Sequence, residues 1–472
     1  MSMTTWVGRH ESGSEWDMEI DVLVVGAGAC GLAAAIAAHD GGASVAILEK
    51  RDRAGGNSSL STGSVPGAGS RYQREAGIVD SPERMLEDLE RAAGQGELPM
   101  LMRRMATLSA DLCEWLVDVV GARMTLITEY CHVGHSVPRL HAPRSRRGQD
   151  LVDDLLAAVG RRDIPLAVNN AVSTLYVDGA GAVVGAAVGG PGGETSRIGA
   201  RSVILATNGF AANRELVRAY CGEIAGAEYF GALGSEGEAV LWGRQLGARL
   251  ANMKAYQGYA AVAYPHGSLL SWTTIEKGGI LVNARGERFG NEDIGYSGYA
   301  RRVLAQQEAV YAIFDERIRE VASKEEEFQE LADHHGIKSG DSVEELAARF
   351  GLPAGALART IADYNRAASA DAGAGDDAHG RQRFGLAPLT GRLWICRVTP
   401  GLFHTQGGLA VDEHGRVLRE DGSAIAGLYA GGGAAAGISG SEGAEGYCSG
   451  NGLLTAIGLG FLAGRDAARW AS

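Results

Sequence analysis

The chain has 472 residues, 70 of them glycine, and carries a formal net charge of −13. That length exceeds what one hydrophobic core usually holds, so we expect two domains. The acidity argues against nucleic acid and anionic membrane as partners. Because hydrophobic residues still make up 45% of the chain, the glycines indicate close approaches of the backbone to a large ligand rather than disorder.

The cysteines and the N-terminal residues indicate a reducing compartment, and we expect a cytoplasmic protein. Six cysteines are spread along the chain without CxxC or CxxCH spacing, so we expect no disulfide framework, metal site or attached haem. Residues 1–18 read as a polar tail that lacks the basic start and apolar segment of a signal peptide. The sequence has no run of eighteen apolar residues, so we expect no membrane span.

A segment near the N-terminus has the pattern of a strand, a glycine turn, a helix and a second strand. Val22–Val25 form a short apolar run, and Gly26, Gly28 and Gly31 follow with GxGxxG spacing before an alanine-rich stretch. Such a turn holds the phosphates of a dinucleotide at the helix N-terminus. Glu49 ends the second apolar run, where a carboxylate can accept both hydroxyls of an adenosine ribose. The segment therefore predicts a dinucleotide site.

A second loop of small and hydroxyl-bearing residues runs from Gly55 to Gly63. Its Gly-Gly-Asn-Ser run, followed by Ser-x-Gly, Gln73, Ala76-Gly-Ile and Asp80-Ser, resembles the flavoprotein family of soluble fumarate reductases and related flavin dehydrogenases. In that family the loop follows the pyrophosphate and passes the isoalloxazine ring. The resemblance implies an α/β fold, in which a Rossmann-like FAD-binding domain carries an inserted α+β capping domain for the substrate.

The next segments predict scaffold and one loop whose role stays open. Apolar residues at helical spacing between 82 and 120 predict helices, and residues 164–194 alternate as hairpin strands. A basic, histidine-rich loop at 125–150 either meets a substrate or faces solvent. The ionisable residues of this basic loop include His132, His135, Arg139, His141, Arg144, Arg146 and Arg147.

Three later motifs resemble the family, each with a substitution. The strand ending at Ala206 continues as Thr-Asn-Gly, so that Asn208 stands where the family has the first glycine of Ala-Thr-Gly-Gly. Glu236 stands in a turn where aspartate is usual. Gly431–Gly433 replace the family's Ala-Gly-Glu near the ribityl chain, so one polar contact is missing or comes from another residue.

The composition changes between 258 and 399, where aromatic residues and then charged helical segments become frequent. Because the cofactor motifs resume afterwards, we interpret this segment as an insertion. The predicted boundaries are a tail at 1–18, a FAD-binding domain at 19–257 and 400–472, and a substrate or capping domain at 258–399. The charge run Lys324-Glu-Glu-Glu indicates a solvated face without chemistry.

The resemblance implies FAD as the cofactor, contacted from both ends of the chain. In the family a last helix points its N-terminus at the flavin pyrimidine, where it stabilises the charge that reduction adds. Membrane-bound relatives link the flavin to a histidine near the Gly-Gly-Asn loop, and serines stand there in this chain, so we expect non-covalent FAD. The predicted FAD-binding positions are Gly26, Gly28, Cys30, Gly31, Glu49, Lys50, Gly56, Asn57, Ser58, Thr62, Gly63, Val172, Ala206, Thr207, Glu236, Gly432, Asn451, Gly452 and Leu453.

The predicted catalytic residues differ from those of dicarboxylate reductases. His404 matches the family's histidine beside substrate and flavin. Tyr296 and Tyr447 stand where the reductases have an arginine proton donor and an arginine carboxylate clamp, and Ser449 follows closely. Without those arginines the chain has little to hold fumarate, because bidentate carboxylate recognition is an arginine property. The combination resembles ketosteroid dehydrogenases of the 3-ketosteroid Δ4-(5α) type.

Phenols suit dehydrogenation beside a ketone, because a positioned base can take the acidic α-proton while the neighbouring carbon gives hydride to flavin N5. We therefore predict a FAD-dependent dehydrogenase, or desaturase, of a cyclic ketone, either a 3-ketosteroid or a smaller cyclohexanone-type ring. Tyr447 and Tyr296 would share the roles of base and carbonyl donor, and an external acceptor would take the electrons. Two alternatives stay open: a flavin reductase of an enone or unsaturated acid such as fumarate or urocanate, and a non-catalytic flavin-binding protein. The oligomeric state also stays open.

Overall fold

The structure is a computed structural model that describes residues 6–11, 13, 15–129, 131–369 and 377–471. Part of the predicted tail therefore lies outside the described residues. The chain divides into a first unit, residues 1–222, 231–256 and 404–472, and a second unit, residues 223–230 and 257–403. This division into units does not test the domain boundaries expected from the sequence, which stay a prediction.

The first unit is built on a sheet whose central strands are parallel. In order across the sheet, these strands are Ala424–Ala430, Thr195–Leu205, Met18–Val25, Val45–Leu48 and Leu166–Ala167. Val22–Val25 are buried, as expected for a parallel strand covered on both faces, which has a continuous apolar run instead of an alternating one. The sheet is extended by the strands Trp6–Arg9, Ala171–Val177, Val183–Gly189 and Arg416–Leu418.

Shorter strand pairs and helices complete the first unit. The pairs join Leu140–Pro143 to both Val65–Pro66 and Met124–Leu126, Leu250–Ala251 to Gly408–Leu409, and Glu442–Gly443 to residues 254–255. The α-helices are Ala29–Asp40, Gly56–Ser59, Arg71–Glu75, Pro82–Ala93, Pro99–Asp118, Gly148–Gly160, Arg214–Tyr220, Glu238–Leu246 and Asn451–Ala471. No helix in the described part of the chain is long and apolar enough to cross a lipid bilayer.

The first long helix, Ala29–Asp40, packs closely against the last helix, Asn451–Ala471. A Cβ added to Gly460 would lie 2.2 Å from the Cys30 carbonyl oxygen, and one added to Gly464 would lie 2.2 Å from that of Ala34. Both glycines are therefore required for this approach of the two backbones. The contact joins the N-terminal glycine turn to the C-terminal segment of the chain.

The second unit has its own sheet and apolar core. Its strands include, in order across the sheet, Ile280–Val282, Val310–Asp315, residues 393–403 of the strand Leu393–Thr405 and residues 257–263 of the strand Lys254–Ala263. The short strands Glu228–Tyr229 and Lys338–Gly340 pair with Leu393–Thr405. Its α-helices are Thr273–Glu276, Gly295–Leu304, Glu316–Ala322, Glu326–Asp333, Val343–Phe350 and Ala354–Ala367. The core includes the fully buried rings of Tyr299, Phe314 and Phe328.

Candidate functional site

The glycine turn after the strand Met18–Val25 leaves no room for a side chain at two positions. A Cβ on Gly26, whose φ is +108°, would lie 2.3 Å from the Ala206 carbonyl oxygen, and one on Gly31 would lie 1.9 Å from the Gly26 oxygen. A Cβ on Gly28 would meet nothing closer than 3.7 Å, so the backbone there is open to an approaching group. The turn has the packing and the open face that a pyrophosphate needs.

A buried carboxylate stands beside this turn. Glu49, which is 9% exposed, accepts a hydrogen bond from the Ala27 N–H at 2.9 Å through Oε2 and one from the Arg51 N–H at 2.8 Å through Oε1. These bonds fix the carboxylate, and each oxygen keeps further capacity to accept. The position fits the predicted acceptor for the ribose hydroxyls.

The second predicted loop is anchored by its own polar side chains. Asn57 Oδ1 accepts a hydrogen bond from the Ala232 N–H at 2.6 Å, and Ser58 Oγ accepts one from the Ala29 N–H at 3.2 Å. The Thr62 hydroxyl lies 3.0 Å from the hydroxyl of the serine two residues later. Because Ala29 begins the helix after the glycine turn, Ser58 ties the two predicted cofactor loops together.

Lys50 and Glu236, both predicted at the cofactor, are paired with each other. Lys50 Nζ lies 3.1 Å from Glu236 Oε2 and also bonds to Glu238 Oε1. Burial raises the pKa of Glu238, while the charge of Lys50 opposes the rise. Glu238 Oε2 is buried and has no hydrogen-bond partner in the described part of the chain. Glu238 was not among the predicted cofactor residues, although its place two residues after Glu236, at the start of a helix, was an available signal.

The strand Thr195–Leu205 ends in a turn that carries an unsatisfied hydroxyl. The Ala206 N–H donates to the Val25 carbonyl at 2.8 Å, which holds this turn next to the glycine turn. Thr207 Oγ1 is buried and has no hydrogen-bond partner among the residues that the structure describes. A buried hydroxyl without a partner costs free energy, so this atom fits the polar edge of a bound dinucleotide.

Asn208 and Gly433, two departures from the family pattern, lie together. Asn208 has a φ of +65°, which glycine adopts freely and asparagine tolerates. Its Oδ1 accepts a hydrogen bond from the Gly209 N–H at 2.9 Å, and its Nδ2 donates to the Ser235 hydroxyl at 2.8 Å. A Cβ on Gly433 would lie 2.7 Å from Asn208 Oδ1. The asparagine carboxamide therefore occupies space that a side chain at 433 would need.

Cys30 is a packing residue in the first long helix. Burial raises the pKa of its thiol to about 12, so the thiol stays protonated at neutral pH. Cys30 packs with Ala206 and Ala456, and a Cβ on Gly431 would lie 2.6 Å from its Sγ. Cys30 thus brings the predicted N-terminal and C-terminal cofactor segments together. Val172, also predicted at the cofactor, is buried in the strand Ala171–Val177.

The last helix, Asn451–Ala471, begins next to His404. A Cβ on Gly452 would lie 3.6 Å from His404 Nε2. His404 Nδ1 lies 3.3 Å from the Thr405 carbonyl oxygen, and because a carbonyl only accepts, Nδ1 carries the proton and Nε2 is an acceptor in the neutral ring. Burial lowers the pKa of His404, which favours that neutral form. Asn451 Oδ1 is buried and lacks a hydrogen-bond partner within the described ranges.

Tyr447 and Ser449 directly precede this helix. Tyr447 is half-buried, and Ser449 is 9% exposed. The Ser449 N–H donates to the Val133 carbonyl at 3.0 Å, and the Ser449 carbonyl oxygen lies 2.8 Å from His135 Nε2. Both partners belong to the basic loop, so that loop holds the backbone next to Tyr447, one of the two predicted catalytic tyrosines.

Tyr296 lies in the second unit within an aromatic cluster formed with Tyr259, Trp272 and Phe403. The Tyr296 ring centroid is 5.0 Å from that of Tyr259 and 6.3 Å from that of Trp272, and Tyr259 stacks on Phe403 at 5.4 Å. The Tyr259 hydroxyl donates to the Leu270 carbonyl at 3.0 Å and accepts from the Trp272 N–H at 3.1 Å. Tyr259 is thus fixed as an apolar wall beside Tyr296.

Burial and negatively charged residues together raise the pKa of Tyr259 in this aromatic cluster. Burial raises the pKa of Tyr259 well above its usual value, and the charges of Glu327, Glu325 and Glu276 add to the rise. Glu325 also accepts hydrogen bonds of 2.6 Å from two hydroxyls in the segment 271–273. The charge run that contains Glu325 was predicted to be a solvated face without chemistry, but Glu325 supports the cluster through these two hydrogen bonds.

The basic loop contains a buried ion-pair network as well as exposed cations. The Arg139 side chain is 0% exposed. Its Nε and Nη2 bond to Asp80 at 2.9 and 3.0 Å, and its Nη1 bonds to Asp88 at 2.8 Å. Arg144 and Arg147 are exposed. Within this loop Arg139 is therefore part of the buried interior, and the choice between substrate and solvent stays open for the exposed Arg144 and Arg147.

A family model described as "FAD binding domain" matches residues 21–452. The chain belongs to this family. It is 32% identical over 453 residues to the NADH:fumarate oxidoreductase of Klebsiella pneumoniae (strain 342), a match that covers 95% of this chain and 48% of that protein. The chain thus spans about half the length of that relative.

Two solved structures resemble this FAD-binding chain over nearly its whole length. A flavocytochrome c3 fumarate reductase in an open conformation has 30% identity and a TM-score of 0.80, with 96% of this chain and 79% of that chain covered. The 3-ketosteroid-Δ4-(5α)-dehydrogenase of Rhodococcus jostii RHA1, in complex with 4-androstene-3,17-dione, has 27% identity and a TM-score of 0.78, with 98% and 99% covered.

These similarities establish the class of the protein as a FAD-dependent oxidoreductase, with FAD as its cofactor. They also confirm the predicted α/β fold, with a Rossmann-like FAD-binding domain and a capping domain. The buried Thr207 hydroxyl, the open face at Gly28 and the oriented Glu49 carboxylate fit FAD. The roles of the individual site residues and the non-covalent attachment stay predictions.

Proposed function

We propose that the protein is a FAD-dependent dehydrogenase that introduces a carbon-carbon double bond next to the ketone of an uncharged cyclic substrate. The substrate class is a 3-ketosteroid or a smaller cyclohexanone-type ring. The observation that carries the proposal is the aromatic cluster of Tyr296, Tyr259, Trp272 and Phe403, beside which the Glu325 carboxylate accepts hydrogen bonds from two hydroxyls. An aromatic wall suits an apolar ring, while nearby carboxylates disfavour a dianionic acid such as fumarate.

Two further observations support an uncharged ketone as the substrate. Tyr296 and Tyr447 stand where the resemblance places two arginines in dicarboxylate reductases, and a phenol cannot replace the bidentate guanidinium grip on a carboxylate. The similar ketosteroid dehydrogenase was solved with a steroidal ketone. Both observations favour recognition of a single polar oxygen on an apolar ring.

The proposed chemistry divides proton removal and charge stabilisation among residues of this chain. FAD, when bound, supplies the acceptor for the hydride. Tyr447, positioned by Ser449, and Tyr296 share two roles: one takes the proton from the carbon next to the ketone, and the other donates a hydrogen bond to the ketone oxygen. Backbone amides at the start of the last helix, near Asn451 and Gly452, add to the stabilisation of negative charge.

The tyrosine that acts as base needs activation, and His404 has a separate role. A phenol in water has a pKa of about 10, so the base depends on its surroundings or on alkaline pH. His404, with Nε2 free to accept in the neutral ring, orients a bound group next to Gly452. It does not compete with the tyrosines for the proton, because burial lowers its pKa.

A second candidate is a flavin-dependent reductase of an enone or an unsaturated acid. The identity of 32% to the NADH:fumarate oxidoreductase and of 30% to the flavocytochrome c3 fumarate reductase favours it. Arg144 and Arg147 are exposed and could meet a carboxylate, whereas Arg139 is buried in ion pairs. This candidate predicts turnover of acids that have no ketone.

Turnover with a dye as electron acceptor, followed by mass spectrometry, tests the proposal. Saturated steroidal and monocyclic ketones should lose two hydrogens. Tyr447→Phe should lower kcat about 10²- to 10⁴-fold, the usual contribution of a general base or acid, with FAD content unchanged. Tyr264→Phe is the matched control, because Tyr264 is 48% exposed. Equal losses in both variants would contradict the role of Tyr447, and reduction of unsaturated acids without ketone oxidation would favour the second candidate.

A further inference from the structure

The basic loop and the segment 447–449 are joined along their backbones. The Ser449 N–H donates to the Val133 carbonyl at 3.0 Å. A Cβ on Gly134, whose φ is +84°, would lie 2.8 Å from the Cys448 Cβ and 2.9 Å from its Cα. Only glycine allows this approach. The segment that carries Tyr447 is therefore held by residues more than 300 positions earlier in the chain.

The partners of His135 define which ring nitrogen carries its proton. His135 Nδ1 lies 3.2 Å from Arg139 Nη1, and because arginine only donates, Nδ1 must accept. His135 Nε2 lies 2.8 Å from the Ser449 carbonyl oxygen, which only accepts, so Nε2 carries the hydrogen. Burial, with the charge of Arg139, lowers the pKa of His135 to about 4. The ring is thus a neutral donor to Ser449 at physiological pH.

Two carboxylates hold the Arg139 side chain by hydrogen bonds. Asp80 accepts from Nε and Nη2, and Asp88 accepts from Nη1. The side chains of all three residues are 0% exposed. Asp88 also accepts from the backbone N–H and hydroxyl of Ser136, next to His135. A chain of contacts with fixed geometry therefore runs from the two carboxylates to the Ser449 carbonyl.

We infer that His135, oriented by Arg139, is a positioning residue that sets the placement of Tyr447 and Ser449 for proton transfer. The inference rests on the proposed function for its catalytic consequence. His135 touches the backbone of the active-site segment, so it acts through that segment. Loss of its bond to Ser449 should slow the chemical step more than it weakens substrate binding, since small misplacements of a catalytic group reduce rate strongly.

Two substitutions test the hydrogen bonds of the two His135 ring nitrogens separately. His135→Asn keeps an acceptor near the Nδ1 position for Arg139 but loses the donor to Ser449. His135→Gln places an amide N–H₂ near the Nε2 position and can restore that donor. His39→Asn is the matched control on a side chain that is 41% exposed. Each holoenzyme is labelled with 3-fluorotyrosine, and the fluorine resonance that Tyr447→Phe removes is assigned to Tyr447.

The expected result is a displaced Tyr447 resonance in His135→Asn and a resonance close to wild type in His135→Gln and His39→Asn. The rate of flavin bleaching by a cyclic ketone should fall roughly 10- to 100-fold in His135→Asn, with little change in the half-saturating ketone concentration. An unmoved Tyr447 resonance in His135→Asn overturns the inference. A displaced Tyr447 resonance in His135→Gln also overturns it. If His135→Asn does not fold, the resonance in His135→Gln alone decides between the two results. A displaced resonance in His135→Asn without bleaching of wild type by any ketone upholds the positioning role and overturns the proposed function instead.

Discussion

Replacing Gly433 with alanine should weaken FAD binding, and Asn208→Gly should restore part of the loss. The added Cβ would lie 2.6 Å from Gly209 N, 2.7 Å from Asn208 Oδ1 and 3.0 Å from the Asn208 carbonyl carbon. Overpacking of this kind costs about 1–3 kcal/mol. Gly433 lies in a segment predicted to contact FAD. We therefore expect the free-energy cost to appear as roughly 5- to 150-fold weaker binding of FAD.

The double variant separates the contribution of the Asn208 carboxamide to this steric cost from the contribution of the backbone. Asn208→Gly removes one of the three close contacts and keeps the φ of +65° accessible, while the two backbone contacts remain. Recovery should therefore be partial, with a coupling of about 0.5–1.5 kcal/mol, or roughly twofold to tenfold in affinity. Equilibrium dialysis of FAD against the four proteins of the cycle measures this coupling. An identical effect of Gly433→Ala with and without Asn208 would refute the reasoning.

Three further predictions concern stability and cofactor binding. Arg139→Met should lower the Tm of the holoenzyme, because the buried Asp80 carboxylate loses its ion-pair partner and the buried Asp88 carboxylate is left with Arg91. Removing one partner of a buried ion pair costs about 3–5 kcal/mol. Burial opposes ionisation of Asp88, but hydrogen bonds from Ser136 and the charge of Arg139 lower its pKa overall. The stabilisation is therefore present above the pKa of aspartate in the unfolded chain, about 4, and is lost as the pH falls through the pKa of Asp88 in the folded protein. Glu49→Ala should weaken FAD binding roughly 10- to 150-fold in dialysis, since hydrogen bonds to a charged group contribute about 1.5–3 kcal/mol each. Gly460→Ala should lower the Tm followed by circular dichroism, because its Cβ would lie 2.2 Å from the Cys30 carbonyl oxygen.

Matched controls make these predictions decisive. Arg144→Met removes an exposed arginine of the same loop, and a Tm loss equal to that of Arg139→Met, or a loss unchanged by pH, would contradict the buried network. Glu19→Ala alters an exposed carboxylate on the central sheet, and an equal loss of FAD there would remove the specific role of Glu49. Gly160→Ala adds a Cβ with no heavy atom within 4 Å. If it lowered the Tm as much as Gly460→Ala, close helix packing would not be the cause.

Features of the site that depend on local chain geometry could be predicted from the sequence. The spacing of Gly26, Gly28 and Gly31 predicts a tight turn, and in the structure Gly26 and Gly31 have no room for a side chain. Glu49 could be placed because it directly follows the apolar run Val45–Leu48, which forms the adjacent parallel strand. The substitution at Asn208 was visible, but its link to Gly433 was not, because more than 200 residues separate them.

Features that depend on distant contacts were not predictable from spacing. The link from Arg139 through His135 to Ser449 joins separate parts of the chain, and the basic loop alone did not distinguish a buried arginine from the exposed Arg144. Glu325 lies in a charge run that usually indicates a solvated face, yet its carboxylate accepts from hydroxyls beside the aromatic cluster. Burial decided the case of Arg139, and hydrogen bonds to another segment decided that of Glu325. A linear pattern reports neither.

Anaerobic stopped-flow mixing of the oxidised holoenzyme with saturated cyclic ketones tests the central claim most directly. The proposed dehydrogenase predicts that a steroidal or monocyclic ketone bleaches the oxidised flavin band, and that Tyr447→Phe slows the bleaching about 10²- to 10⁴-fold while Tyr264→Phe does not. No bleaching by any ketone, together with reoxidation of dithionite-reduced enzyme by an enone or an unsaturated acid, would contradict the claim and establish the reductase instead.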